Sequence, residues 1–187
     1  CAPIDTAPAA PVSAPASSGP KHLTITETFW PDTGYAIESD DAFSLSSWGT
    51  TETLLMVDFD GQIKPLLAES WKRLDDLRWS FTLRKGVTFH NGEALTAAAV
   101  VTAFNYLLKA ETPPRGLSPD NVAAIEATDE RTIVITTVAP DALVPNRLTG
   151  PSFGILAPAA YASTPPVVFG MGTGPFILAE EVPEQSV

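Results

Sequence analysis

Trp79-Ser-Phe-Thr-Leu-Arg-Lys-Gly-Val-Thr-Phe-His-Asn-Gly92 carries the clearest structural instructions in the chain. Trp79, Phe81 and Leu83 alternate with Ser80, Thr82 and Arg84, which predicts a strand with one apolar face. Lys85-Gly86 and His90-Asn91-Gly92 are turn signals on either side of Val87–Phe89. Just downstream, Thr96 is the expected N-cap of a helix running to about Glu111. Val100, Val101, Phe104, Leu107 and Leu108 form its apolar stripe, and Pro113-Pro114 ends it. Asn121–Val138 has the pattern of a hairpin, with its turn at Thr128–Arg131.

Upstream, Thr51–Met56 suggests a short helix leading into a strand at Val57. Asp58–Gly61 turns the chain, Ile63 resumes the strand and Pro65 ends it. Leu66–Ser70 reads as a short turn before Trp71, and Pro31–Gly34 as another turn. His22–Thr26 alternates as a strand does, whereas the path beyond Pro140 is rich in Pro and Gly and loses periodicity. Short strands interleaved with one good helix indicate a mixed α and β architecture.

The chain has 187 residues, of which 22 are Asp or Glu and 11 are Lys or Arg, for a net charge of −11. A field of that sign repels phosphate backbones, so nucleic acid is not an expected partner. No apolar run is long enough for a membrane-spanning helix. Cys1 is the single cysteine, which excludes an internal disulfide and any multi-cysteine metal site. Residues 2–20 are low-complexity Ala, Pro and Ser, a composition that cannot offset its ordering entropy and should form a tether. A cysteine followed by such a tether suggests lipidation at Cys1 and an extracytoplasmic, membrane-anchored protein; the alternative is that the sequence simply begins there.

A catalytic constellation does not emerge. Gly170-Met-Gly-Thr-Gly174 lacks the lysine and helix of a phosphate-binding loop, and no Gly-x-Ser-x-Gly elbow occurs. His22 and His90 have no ligand-spaced partners, and His90 sits in a turn, so neither a metal nor a cofactor is expected. Asp75-Asp76 suits a solvated turn, and Asp40-Asp41, if extended, would point apart. Trp71 and Trp79 fit the core, while Trp30 and Trp48 lie among small polar residues, where an aromatic can grip a ligand or merely pack.

Several motifs in order resemble the peptide/nickel (family 5) solute-binding proteins of ABC importers. They are Glu52-Thr-Leu-Leu55, Asp60-Gly61, Pro65-Leu-Leu-Ala-Glu-Ser-Trp71, the Trp79–Gly92 stretch, Leu95-Thr96 with the following helix, and Gly172-Thr-Gly-Pro-Phe176. One departure is Ala98-Ala99, where the family usually carries Glu-Asp, so that Thr96 caps alone. Another is Gly154, near the position where nickel-chelate binders of the family carry an arginine.

The resemblance implies an α/β chain forming the N-terminal part of a two-lobed, type II periplasmic-binding-protein fold with its extra α+β subdomain. Its implied divisions are a 1–20 tether, the first strand region of lobe I at 21–45, the subdomain at 46–167 and a return strand at 168–187. It further implies no enzyme but a monomeric receptor that closes about a hinge on a small solute and delivers it to a membrane permease. An oligopeptide comes first among solutes, with a metal chelate second. Phe43, Ser44 and Trp48 are the expected ligand-lining residues, with Phe153 a weaker one. The competing reading is a lipid-anchored interaction module on the same scaffold.

Overall fold

The computed structural model describes residues 31–180. Cys1, the 1–20 tether, the His22–Thr26 strand and Trp30 lie outside them. The fold begins with helix α1 (Asp41–Ser47) and a hairpin of β1 (Leu55–Val57) and β2 (Ile63–Pro65). Strands β3 (Ala68–Arg73) and β4 (Arg78–Leu83), helix α2 (Ala97–Lys109), strands β5 (Val122–Ala127) and β6 (Thr132–Thr137), and short helix α3 (Val144–Arg147) follow. Single 3-10 turns at Pro151–Phe153 and Pro158–Ala162 carry the chain onward.

The sheet runs β3-β4-β6-β5, antiparallel throughout. Phe81 sits opposite Ile133 on β6 and Trp71 on β3, and Ile135 sits opposite Ile125. Opposed residues of an antiparallel pair share a face, so the alternation of β4 propagates into one apolar surface. Helix α2 packs against β5 and β6, burying Val100, Ala103, Phe104 and Leu107. The expected cap is present: Thr96 Oγ1 accepts from the Ala99 amide at 3.2 Å. Phe81, Leu83 and Phe104 are fully buried in one cluster, as the alternation predicted. Trp79 is only half-buried against that cluster, and its indole N–H donates to the Asp141 carbonyl at 2.9 Å.

Four local expectations are corrected. Thr51–Leu54 is extended and not helical: Ile155 N donates to Glu52 O at 2.9 Å and Leu67 N to Thr53 O at 3.2 Å, and these partners lie across the chain. Leu66–Ser70 is no turn; Ala68–Ser70 already belongs to β3, where a register shift opposite Leu83 and Thr82 breaks the alternation. Asp40-Asp41 is not extended, since it opens α1. The last described stretch, 168–180, carries no ladder strand and runs as an irregular ribbon.

Candidate functional site

Helix α1 is short and buried along one side. Asp41, Ala42, Ser44 and Leu45 are buried, whereas Phe43 is 64% exposed. One large ring directed to solvent from a helix whose other apolar side chains are inside is the anomaly that marks this face. Trp48 closes the helix, its amide donating to Ser44 O at 2.9 Å, and its indole is half-buried against the core. Of the residues expected to line a site, Phe43 and Trp48 therefore offer aromatic surface. Ser44 is buried beneath them.

Phe153 is placed differently. It is 4% exposed and meets Phe104 edge-to-face, with ring centroids 6.4 Å apart. The 3-10 turn that carries it packs against α1 from within, so Phe153 supports the aromatic face from behind. Gly154 is also enclosed: a Cβ there would stand 3.1 Å from Thr51 Oγ1 and 3.3 Å from Ile37.

The loop before α1 supplies a further aromatic. Tyr35 is buried, edge-on to Trp48 at 6.0 Å and to Phe169 at 5.8 Å. Asp41 holds that loop through bonds accepted from the Asp32, Thr33 and Tyr35 amides and the Thr33 hydroxyl. Burial pushes the pKa of this carboxyl up, but the Thr33 hydroxyl and the three amides outweigh it and hold the group below the usual carboxylate range. Neither Tyr35 nor Asp41 was legible as a site residue: the only sequence signal was a Pro-Asp-Thr-Gly turn followed by two acids.

The C-terminal side of α1 is crossed by the Gly172–Phe176 ribbon. Gly174 N donates to Thr50 O and Phe176 N to Gly49 O, both at 3.2 Å. His90, in its expected turn, clamps the ribbon from the other side. Its amide donates to Gly172 O, and its Nε2 lies 2.8 Å from Gly174 O, so that nitrogen carries the proton. Phe176 emerges 63% exposed beside Gly49, and Ile177 after it is 60% exposed. A hollow of about 530 Å³ elsewhere, at Arg84, Lys85, Thr88 and Glu130, involves none of these residues.

Behind the face, Tyr106 on α2 donates to Glu38 Oε1 at 2.8 Å. Burial first, then the Glu38 carboxylate, push the Tyr106 hydroxyl far above its ordinary value, so it stays a donor. Among the described residues no three His, Cys, Asp or Glu side chains gather as metal ligands, and no helix is long and apolar enough to cross a membrane.

The site is thus a four-stranded antiparallel layer with one packed helix, beside which Phe43 projects to solvent from α1. The comparisons give its class. The family model described as "Bacterial extracellular solute-binding proteins, family 5 Middle" matches residues 62–187. The chain belongs to that family, and its fold is the N-terminal portion of the type II periplasmic binding proteins. It is 31% identical over 132 residues to the glutathione-binding protein GsiB of Escherichia coli, covering 67% of this chain and 25% of that one. The probable D,D-dipeptide-binding periplasmic protein DdpA of the same organism is 37% identical over 94 residues, covering 50% and 18%. A crystal structure of a nickel ABC transporter from Bacillus halodurans superposes with a TM-score of 0.66 at 31% identity, covering 77% of this chain and 29% of that chain. The chain thus spans less than a third of the length of each of these three relatives.

Proposed function

We infer that this chain contributes one wall of a solute-binding receptor that serves an ABC importer, with Phe43 and Trp48 facing the solute. The observation that carries this reading is Phe43, an exposed ring on a helix whose other apolar side chains are buried, with a half-buried indole five residues on. Aromatic side chains projecting from a rigid support suit a cleft that grips small molecules. The solute we favour is an oligopeptide. Two of the similar proteins bear names of peptide binders, glutathione and D,D-dipeptide. The enclosed Gly154 speaks against a chelate held by an arginine there, since Thr51 and Ile37 fill the space a longer side chain would need.

In this reading residues 46–167 form the extra subdomain of lobe I, and 21–45 and 168–187 belong to the lobe itself. A second lobe closes the cleft by a hinge, and the closed form delivers solute to a membrane permease. Closure then depends on solute binding the closed state more tightly than the open one. The protein works outside the cytoplasm as a monomer, held by a lipid on Cys1. Mass spectrometry of native protein tests the anchor, since an acylated N-terminal cysteine is expected and a free thiol refutes it.

The test of the wall is calorimetry on the intact protein against di- to pentapeptides, glutathione and nickel–histidine. A peptide should bind, and Trp48→Ala should weaken it about tenfold or more, equivalent to about 1.4 kcal/mol. Trp79→Phe, which gives up the indole bond to the Asp141 carbonyl without altering α1, should leave the affinity unchanged. Binding of nickel–histidine without any peptide, or full affinity in Trp48→Ala, overturns the assignment.

A further inference from the structure

We propose that Asp41 is a positioning residue for the Trp48 face: its carboxylate gathers the 32–35 loop into a left-handed turn that stands Tyr35 against the indole. The proposal rests on reading Trp48 as a ligand-facing residue, and it identifies what fixes that residue's orientation.

The loop is unusual before any function is considered. Gly34 and Tyr35 both have positive φ, 69° and 65°. Glycine adopts that region freely, but a bulky aromatic does not, so Tyr35 is held there by its surroundings. Two sets of contacts hold it. On the side-chain side, the buried ring lies edge-on between Trp48 and Phe169. On the backbone side, its amide donates to Asp41 Oδ2 at 3.0 Å.

The same oxygen accepts from the Thr33 amide at 2.9 Å and the Thr33 hydroxyl at 2.6 Å, while Oδ1 accepts from the Asp32 amide at 3.2 Å. Four donors converge on one carboxylate, and three of them are backbone groups of the loop that carries Tyr35. The loop N-terminal to α1 and the indole at its C-terminal end are thereby linked across the helix. Asp41 is itself only 6% exposed, so solvent does not replace these bonds cheaply.

A carboxylate is specifically required. An amide offers one acceptor oxygen to the four donors, and its NH₂ would face an N–H. Asp41→Asn should therefore loosen the loop partly and Asp41→Ala fully. Thr33→Val, which removes only the hydroxyl, should have the smallest effect.

The experiment is fluorine NMR of the intact protein labelled with 5-fluorotryptophan, the Trp48 resonance being identified by its loss in Trp48→Phe. The expected result is a Trp48 resonance that shifts and broadens progressively from Thr33→Val through Asp41→Asn to Asp41→Ala. Trp71 and Trp79, set in the sheet, should keep their wild-type positions, which a general loss of structure would not allow. An unmoved Trp48 resonance in Asp41→Ala overturns the proposal. If Asp41→Ala does not fold, the two milder variants decide, and an unmoved Trp48 in both is equally fatal. A wild-type Trp48 resonance indifferent to peptides that calorimetry shows to bind would end the ligand-facing reading alone, leaving the hold of Asp41 on the indole intact.

Discussion

At Gly172 the chain passes so close to Thr50 that a Cβ would lie 1.9 Å from the Thr50 carbonyl oxygen, and φ plays no part, since Gly172 is not among the positive-φ glycines. Gly172→Ala is therefore a pure test of close approach. Carbon atoms of real side chains essentially never come within 3.0 Å of such an atom, so the two segments must part by roughly 1.1 Å. That displacement carries the Gly174 N–Thr50 O and Phe176 N–Gly49 O bonds, both already 3.2 Å, beyond bonding distance. Two lost backbone bonds cost about 1 kcal/mol each, and relieving an overpacked backbone contact adds about 1–3 kcal/mol. The expected destabilisation is about 3–5 kcal/mol, on the order of the larger single-site effects. Urea unfolding of the intact protein gives the magnitude, and hydrogen exchange of the 172–178 peptide shows whether it arises at the crossing. A loss below about 0.5 kcal/mol with unchanged exchange at 172–178 would refute the argument.

Phe104→Ala, which empties a fully buried site against Phe153, should cost about 3–5 kcal/mol in urea unfolding, and a loss below about 1 kcal/mol would mean the helix face is misassigned. Tyr106→Phe strips Glu38 Oε1 of its donor while Glu38 Oε2 is buried without a partner among the described residues. A loss of about 1–3 kcal/mol is expected, and wild-type stability would discount that bond. The carboxyl of Asp41 is held below its ordinary value, so its contribution is fully present above the unfolded value of about 4 and disappears as pH falls through the lower folded one. The stability gap between wild type and Asp41→Asn should thus be open at pH 6 and shrink below about pH 4; a gap constant down to strong acid contradicts it.

The parts of the fold that were legible in the sequence are those whose burial is periodic. β4 shows alternation, α2 shows a stripe behind a threonine cap, and β5–β6 shows two β-rich runs about a turn. β3 was hidden because the shift between Ala68 and Ser70 displaces Trp71 from the phase set by Ala68. Helix α1 was hidden because Asp-Ala-Phe-Ser-Leu-Ser-Ser offers two large apolar residues, one of them facing out, and serines that favour caps over helix interiors. Phe43 and Trp48 became candidates through the family resemblance, with Trp48 also marked by its small polar surroundings. What supports them was not visible, because it is made of contacts between distant backbone groups. Three amides meet a carboxylate six to nine residues later, and a histidine turn meets a carbonyl 84 residues on.

The crossing of Gly49–Thr50 by Gly172–Gly174 brings together two points that enclose the hairpin, the sheet, α2 and both 3-10 turns. A segment whose entry and exit touch leaves the spacing of its two flanks nearly independent of its own length. Closing such a long loop costs little more than closing a much shorter one, since the entropy grows only with the logarithm of length. Folds with neighbouring ends are those that tolerate transfer into a host or removal from it. Extra length inside residues 51–171 is therefore cheap to accommodate, provided Gly172 and Gly174 keep the side-chain-free gap at the neck through which both passes run.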